Sequence, residues 1–350
     1  MGFPELQLSE LIRLATSRRL STIFGVARGE PIVTVHLDSL NSTDNAPLPE
    51  AARHELGTLP AVIIGIGSID HPASSVVDVV ADLDLVGGDL GAIADAVARR
   101  PLASAALCLL LRHGDERTIA AGLIAESTTY SMLQAGPEFA EWLAQRQPRA
   151  QAPGIEPEVI VEHDDATTTI TLNRPHRHNA FDIAMSEQLV EALTDSLASP
   201  TTRIVLRGNG PSFSSGGDLA EFGSFADPVI AHAARLSRSA GQLIAIMSVR
   251  IEAHLHGNCY GAGIELPAFA GTIIAAPDTR IALPELSLGL VPGAGGTVSL
   301  PRRIGRHRTA LLALTGTTID AARAQRWGLI DRLEPEMSVR AARGLGFDPR

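Results

Sequence analysis

The chain has 350 residues, 45% of them hydrophobic and 19% charged, with a net charge of −10. That length suits about two domains with a sizeable core, and the acidic balance argues against a nucleic-acid partner. All 29 basic residues are Arg, which excludes lysine Schiff-base chemistry and leaves Arg, His and backbone amides to meet any phosphate.

In chain order, the opening "MGFPELQLSE" lacks a signal-peptide core and, with Leu at position 6, the myristoylation pattern. "PIVTVHLDS" and "AVIIGIGS" read as strands. From about Asp89 to Arg146 the pattern is helical, through "LGAIADAVARR", "ASAALCLLLRH", "RTIAAGLIAESTTYSML" and "EFAEWLAQR". The longest apolar run, "PLASAALCLLL", ends at Arg112 after about 11 residues and is too short to span a bilayer. Cys108 and Cys259 make neither a disulfide framework nor a zinc site. A cytoplasmic protein with no membrane span is expected. The Pro-rich, polar stretch "QPRAQAPGIEPE", residues 147–158, reads as a linker.

Beyond it, "TTTITLNRP" and "TRIVLRGNG" read as strands with the helix "IAMSEQLVEALTDSL" between them, a βαβ crossover that implies an α/β fold. An internal echo links "TVHLDSLNSTDNAPL" to "TITLNRPHRHNAFD" and "VIIGIG" to "IVLRGNG". Three further stretches carry chemistry. "SFSSGGDL" follows a strand with small residues that leave amides free for a ligand. "GNCYGAGIELP" puts glycines before an apolar helical run, whose first amides can receive an anion. "ALPELSLGLVPGAGGTVSLPRRIG" places Glu285 after a Pro in apolar surroundings. Glu265 and Glu285 both sit among small and apolar residues, where an ionised carboxylate is costly unless it is paired, hydrogen-bonded or protonated. None of the three fits a dinucleotide fingerprint, a Walker loop or G-x-S-x-G. His254 and His256 alternate on a strand and cannot easily share a metal ion, so no metal is expected.

Taken in register, "ITLNRPHRHNAFD", "VLRGNGPSFSSGGDL", "GNCYGAGIEL", "ALPELSLGLVPGAGGTVSLPRRIG" and "ALTGTTIDAARAQRWGLIDRLEP" resemble the crotonase, or enoyl-CoA hydratase/isomerase, superfamily over roughly residues 157 to 335. The resemblance implies a crotonase-like (ClpP/crotonase) α/β fold, a ββα-spiral core with associated helices. It implies an acyl-CoA thioester substrate, with coenzyme A as part of the substrate and no separate cofactor. It also implies a homo-oligomer, a trimer or hexamer. The amides of Gly217 and Ala262 would form the oxyanion hole, and Glu265 and Glu285 would hold and activate a water for hydration of a 2-enoyl-CoA. The alternatives are an isomerase or other crotonase reaction, or a non-catalytic acyl-CoA-binding or assembly subunit. Arg177 and Arg174 would meet the CoA phosphates, Ser214 and Ser215 would lie beside the pantetheine and adenine, and Gly293 and Gly296 would border the acyl pocket.

The sequence departs from the family at Gly271, where an Asp is usual, and at Pro267, Tyr260 and His254, which could reshape the pocket or displace Glu265. The family's covering helices, normally found after a segment like "GLIDRLEP", resemble residues 90 to 148 instead. Residues 1–150 therefore read as a degenerate crotonase-like region, mainly helical after 89. Residues 157–335 read as the core that carries the catalytic residues, and residues 336–350 as a short tail. The N-terminal helices are expected to complete the core, within the chain or between subunits, because their apolar faces need burying.

Overall fold

The computed structural model describes residues 5–37, 48–82, 84–146, 157–164, 166–199, 202–224 and 227–335; most of the expected linker and the whole 336–350 tail lie outside them. The first part forms β1 (Glu5–Gln7), α1 (Leu8–Thr16), α2 (Leu20–Ile23), β2 (Ile32–His36), α3 (Glu50–Thr58), β3 (Val62–Ile66) and β4 (Val79–Val80). Four helices follow, α4 (Leu90–Arg99), α5 (Pro101–Arg112), α6 (Ile119–Gln134) and α7 (Pro137–Gln145). The second part begins with β5 (Val159–His163), β6 (Thr167–Leu172), α8 (Ile183–Ala198), β7 (Arg203–Gly208), α9 (Pro228–Ser237), α10 (Ala240–Ile246) and β8 (Ile251–Leu255). It continues through β9 (Asn258–Tyr260), α11 (Ala262–Glu265), β10 (Thr272–Ala275), β11 (Arg280–Ala282), α12 (Gly296–Thr315), β12 (Ile319–Asp320), α13 (Ala321–Arg326) and β13 (Arg332–Leu333).

The apolar runs of β2 and β3 are buried along most of their length and pair in parallel, with Ile32 opposite Val62 and Val35 opposite Gly65. Continuous apolar runs, in place of alternation, are what a parallel strand covered on both faces requires. These strands make a sheet of order β1-β2-β3-β4. The second part carries a six-stranded sheet, β13-β10-β8-β7-β6-β5, in which β5 alone runs antiparallel to its neighbour. Helix α8 is the crossover between the parallel strands β6 and β7, as the βαβ pattern predicts. A smaller sheet, β12-β11-β9, brings the end of β9 beside β11 and so aims the segment after Tyr260 toward the segment after Ala282.

Residues of α4 and α5 (Ile93, Leu107, Leu111) share one buried cluster with residues of α12 (Leu311, Leu312), while a separate core under α1 holds Leu8, Leu11, Val33 and Ile63. The helices of the first part therefore pack on the second part within one chain. Within the first part, acidic side chains join its elements: the amides of Leu102 and Ala103, at the start of α5, donate to Glu138 of α7 at 2.8 and 3.0 Å. Arg112, at the end of α5, grips Asp78 bidentately at 2.7 Å and donates to the carbonyls of Leu56, Leu59 and Ala61. Both side chains of that pair are almost fully buried. Breaking such a pair by removing one partner strands the other charge.

Two outcomes follow from this packing. Arg112→Met is expected to lower unfolding stability by about 3–5 kcal/mol, read as a shift in the urea midpoint. Residues 157–350 made without the first part are expected to expose the apolar face of α12 and bind a hydrophobic dye. A soluble fragment with a cooperative transition and no dye binding would show that the second part does not need those helices.

Candidate active site

After β9 the chain turns at Gly261, whose φ of 49° and ψ of −123° suit glycine. A Cβ there would collide with Glu285 Oε1 and would lie 3.8 Å from Glu265 Oε1. One small residue thus sits between two carboxylates twenty positions apart in sequence. Glu265 closes α11 and is 2% exposed; Glu285 opens a short 3-10 turn, Glu285–Leu288, and is 9% exposed. Pro267, which could have displaced Glu265, begins the next 3-10 turn, where its missing N–H costs nothing.

The two carboxylates are held differently. Glu265 Oε2 accepts from the amides of Ala294 and Gly296, both at 2.8 Å, at the entry to α12. Glu285 Oε2 is buried without a hydrogen-bond partner among the described residues. A third carboxylate joins them from the first part of the chain. Glu126 of α6, 2% exposed, accepts from the amides of Gly295 at 2.7 Å and Thr297 at 2.8 Å, and from the Thr297 hydroxyl at 2.7 Å. Four successive amides, 294 to 297, therefore alternate between Glu265 and Glu126. Helix α12 has no capping side chain of its own, so these two carboxylates satisfy the orphan donors of its first turn.

Burial raises all three acids. Glu265 is pushed up to about 7 against the pull of its two amides. Glu126 is pushed up to about 8 by burial and then by Glu265, against its three donors. Glu285 stands well above the usual carboxylate range, through burial first and then Glu265. Like charges crowded in a dry site cannot all ionise together, which separates the group into acids and bases.

All three line one cavity of about 690 Å³, together with Gly217, Ala262 and Gly293. The amides of Gly217 and Ala262 donate to no other group among the described residues. They are free donors beside two buried carboxyl groups, and paired amides of this kind can receive a developing oxyanion. The wall facing the second part's residues is α6, through Leu123, Ile124, Glu126, Ser127 and Tyr130.

The structure places several expected site residues elsewhere. Arg174 is 2% exposed and lies among Glu158, Asp182 and Asp218 at 3.4, 3.0 and 2.9 Å, so it is spent inside the protein and does not meet a phosphate. Arg177 keeps a quarter of its side chain exposed and reaches Asp218 at 3.4 Å. Ser214 is fully buried; its amide donates to Asn258 O, its carbonyl accepts from Tyr260 N and its hydroxyl donates to Asn179 O, leaving nothing for a ligand. Ser215 donates its amide to His178 O and is half-buried. Gly293 and Ala294 border the cavity, whereas Gly296 gives its amide to Glu265 and is not among the lining residues. His254 pairs with Glu252, Tyr260 stands outside the cavity lining, and Gly271 packs against the Ser248 carbonyl, where a Cβ would come within 2.6 Å. None of the departures therefore displaces Glu265. Glu126 escaped the sequence reading. Its mark was there: a Glu in a run of small and apolar residues, with no Arg three or four positions away.

The enoyl-CoA hydratase/isomerase family model matches residues 162–343. A "Probable enoyl-CoA hydratase" of Mycobacterium bovis is 36% identical over 180 residues, covering 51% of this chain and 68% of that protein. A trans-2-decenoyl-[acyl-carrier-protein] isomerase of Streptococcus mutans is 31% identical over 185 residues, covering 51% of this chain and 70% of that protein. The solved enoyl-CoA hydratase from Thermoplasma volcanium is 33% identical with a TM-score of 0.49, covering 52% of this chain and 74% of that one.

The three raised carboxylates have a consequence for stability. Each binds its proton more tightly folded than unfolded, so its contribution is full below the ordinary carboxylate pKa and is lost as pH rises through the folded value. Unfolding midpoints are therefore expected to fall between pH 5 and pH 8. Glu285→Gln should flatten that fall and exceed the parent protein at pH 8. Arg174→Met should destabilise by about 3–5 kcal/mol, as expected of a buried ion cluster.

Proposed function

The chain belongs to the enoyl-CoA hydratase/isomerase family, with its crotonase-like α/β fold, and from that membership we propose that it adds water across the double bond of a 2-enoyl-CoA thioester. The observation that carries the reading is the convergence in one cavity of two unengaged amides with two carboxylates flanking Gly261. Gly217 and Ala262 would receive the thioester oxygen as it gains enolate charge, each donor worth about 2.7–4 kcal/mol in the transition state.

The proton inventory suits hydration. Glu265, anchored by two amides that favour its charged form, is the base that takes a proton from the attacking water. Glu285, its Oε2 unpartnered and its pKa raised by burial and by Glu265, begins protonated and delivers its proton to the α-carbon. The hydroxide adds to the β-carbon, so one water is consumed and the two carboxyls exchange protonation states. A proton passing back between them resets the site.

A second reading is isomerisation of a 3-enoyl thioester. It draws on the asymmetry just described, since a single mobile carboxyl at Glu285 could carry one proton along the chain.

The deciding experiment follows loss of enoyl-thioester absorbance with crotonyl-CoA. Hydration predicts that Glu265→Gln and Glu285→Gln each lower kcat by about 10²–10⁴-fold. It predicts that kcat/KM rises with pH through about 7 as Glu265 ionises, and falls again where Glu285 loses its proton. Isomerase activity that survives Glu265→Gln, with no incorporation of labelled water, would replace hydration by the second reading.

A further inference from the structure

The cavity that holds the two glutamates is also lined by Arg235 of α9 and Tyr130 of α6. The Arg235 guanidinium lies 4.8 Å over the Tyr130 ring and is held there by α6. Its Nε donates to Ser127 Oγ at 3.0 Å, Nη1 to Gln134 Oε1 at 3.5 Å, and Nη2 to Ser127 O at 3.4 Å and to Ser131 Oγ. His232, one turn earlier on α9, shares the Ser127 hydroxyl at 2.9 Å. These hydrogen-bond partners include no carboxylate, and among the described residues Arg235 makes no ion pair within 4.0 Å.

Arg302 and Arg306 likewise donate to no carboxylate among the described residues, only to carbonyls, while other arginines reach acids. Arg112 has Asp78, Arg174 has three acids, and Arg238, just past the end of α9, has Glu187. Glu126 is the acid nearest in sequence on α6, but both its oxygens are committed to Gly295 and Thr297. Tyr130 adds a second open group. Its ring packs against Gly293, and its hydroxyl has no hydrogen-bond partner among the described residues. A half-buried cation with no carboxylate at ion-pair distance, whose nearby acid Glu126 is engaged elsewhere, and an unused phenol thus line the same cavity as the two glutamates. A charge in such a place gains most from a ligand of opposite sign, because desolvation has already been paid in the folded protein.

We propose that Arg235 and Tyr130 form a subsite for an anionic group at the distal end of the acyl chain, so that the preferred substrates are 2-enoyl thioesters of dicarboxylic acids. The proposal rests on the hydratase reading for the chemistry, while the subsite itself concerns binding. The guanidinium, fixed on three sides by α6, offers its remaining edge and its charge to the carboxylate. The Tyr130 hydroxyl donates a second hydrogen bond. Specificity then comes from α6 and α9, outside the two glutamates and the oxyanion amides.

The test compares 2-hexenoyl-CoA with the same six-carbon enoyl chain ending in a carboxylate. The parent protein is expected to favour the carboxylate substrate in kcat/KM. Arg235→Gln should lower kcat/KM for that substrate about 30-fold or more beyond its effect on hexenoyl-CoA, and Tyr130→Phe should do so by a smaller factor. Arg235→Lys, which keeps the charge and guards against a folding artefact, should retain part of the preference. Equal or better turnover of hexenoyl-CoA by the parent would overturn the proposal. So would an equal loss for both substrates in Arg235→Gln, which would assign Arg235 to the shared coenzyme A moiety. Titration calorimetry with saturated hexanoyl-CoA and adipyl-CoA gives the same comparison without catalysis. If neither enoyl substrate turns over but adipyl-CoA binds more tightly and loses that advantage in Arg235→Gln, the hydratase reading fails and the subsite stands.

Discussion

The first turn of α12 is the constraint on which the site depends. Its amides from 294 to 297 point at carboxylates arriving from two directions, Glu265 from α11 and Glu126 from α6. A helix start buried without such partners would leave several donors unsatisfied, each costing about 1–3 kcal/mol. Satisfying them fixes Glu265 in the cavity, fixes α6 as the cavity wall and fixes the entry loop that borders the acyl space. Helix geometry, the placement of Glu265 and the pocket boundary are therefore one arrangement. The carboxylate that does not share it, Glu285, is the one left with an unpartnered oxygen.

A chain without lysine has to build its polar interior from guanidinium groups, and the fold shows what the planar fork is good for. Arg112 gathers one carboxylate and three carbonyls where α5 meets the first sheet. Arg174 gathers three carboxylates beneath the loop that carries Gly217. A lysine ammonium could hold neither set in plane. Each junction ties segments together inside its own part of the chain, while the core that the second part shares with α4 and α5 is built of apolar side chains.

How much of this was readable in the residues depended on the range of the interaction. The strands β2, β3, β6 and β7 announce themselves through apolar, β-branched runs, and α8 through its amphipathic spacing, because those patterns are local. The burial of Glu265 and Glu285 was legible because each stands among small and apolar residues. Arg174 was misread for the converse reason. A sequence shows that an Arg follows a strand, but not that Glu158, Asp182 and Asp218 converge on it. Ser214 was misread similarly, since its backbone is consumed by β9 pairing that no motif displays. Asn179 lies in the "TITLNRPHRHNAFD" half of the internal echo, yet its work is a staple: its side-chain amide donates to the carbonyls of Asn209, Ser212 and Phe213.

The hydrogen bonds between Glu126 and the start of α12 join residues 169 and 171 positions apart. During synthesis the chain emerges from its N-terminus, so α6 is made long before the amides that complete it. Until then Glu126 remains solvated and α6 keeps its apolar face uncovered. The later half of the chain supplies both Glu265 and Glu285 and the closure of that seam. Such a long separation makes the closing step slow compared with helix formation. The cavity is therefore complete only once the later half of the chain has docked against α6.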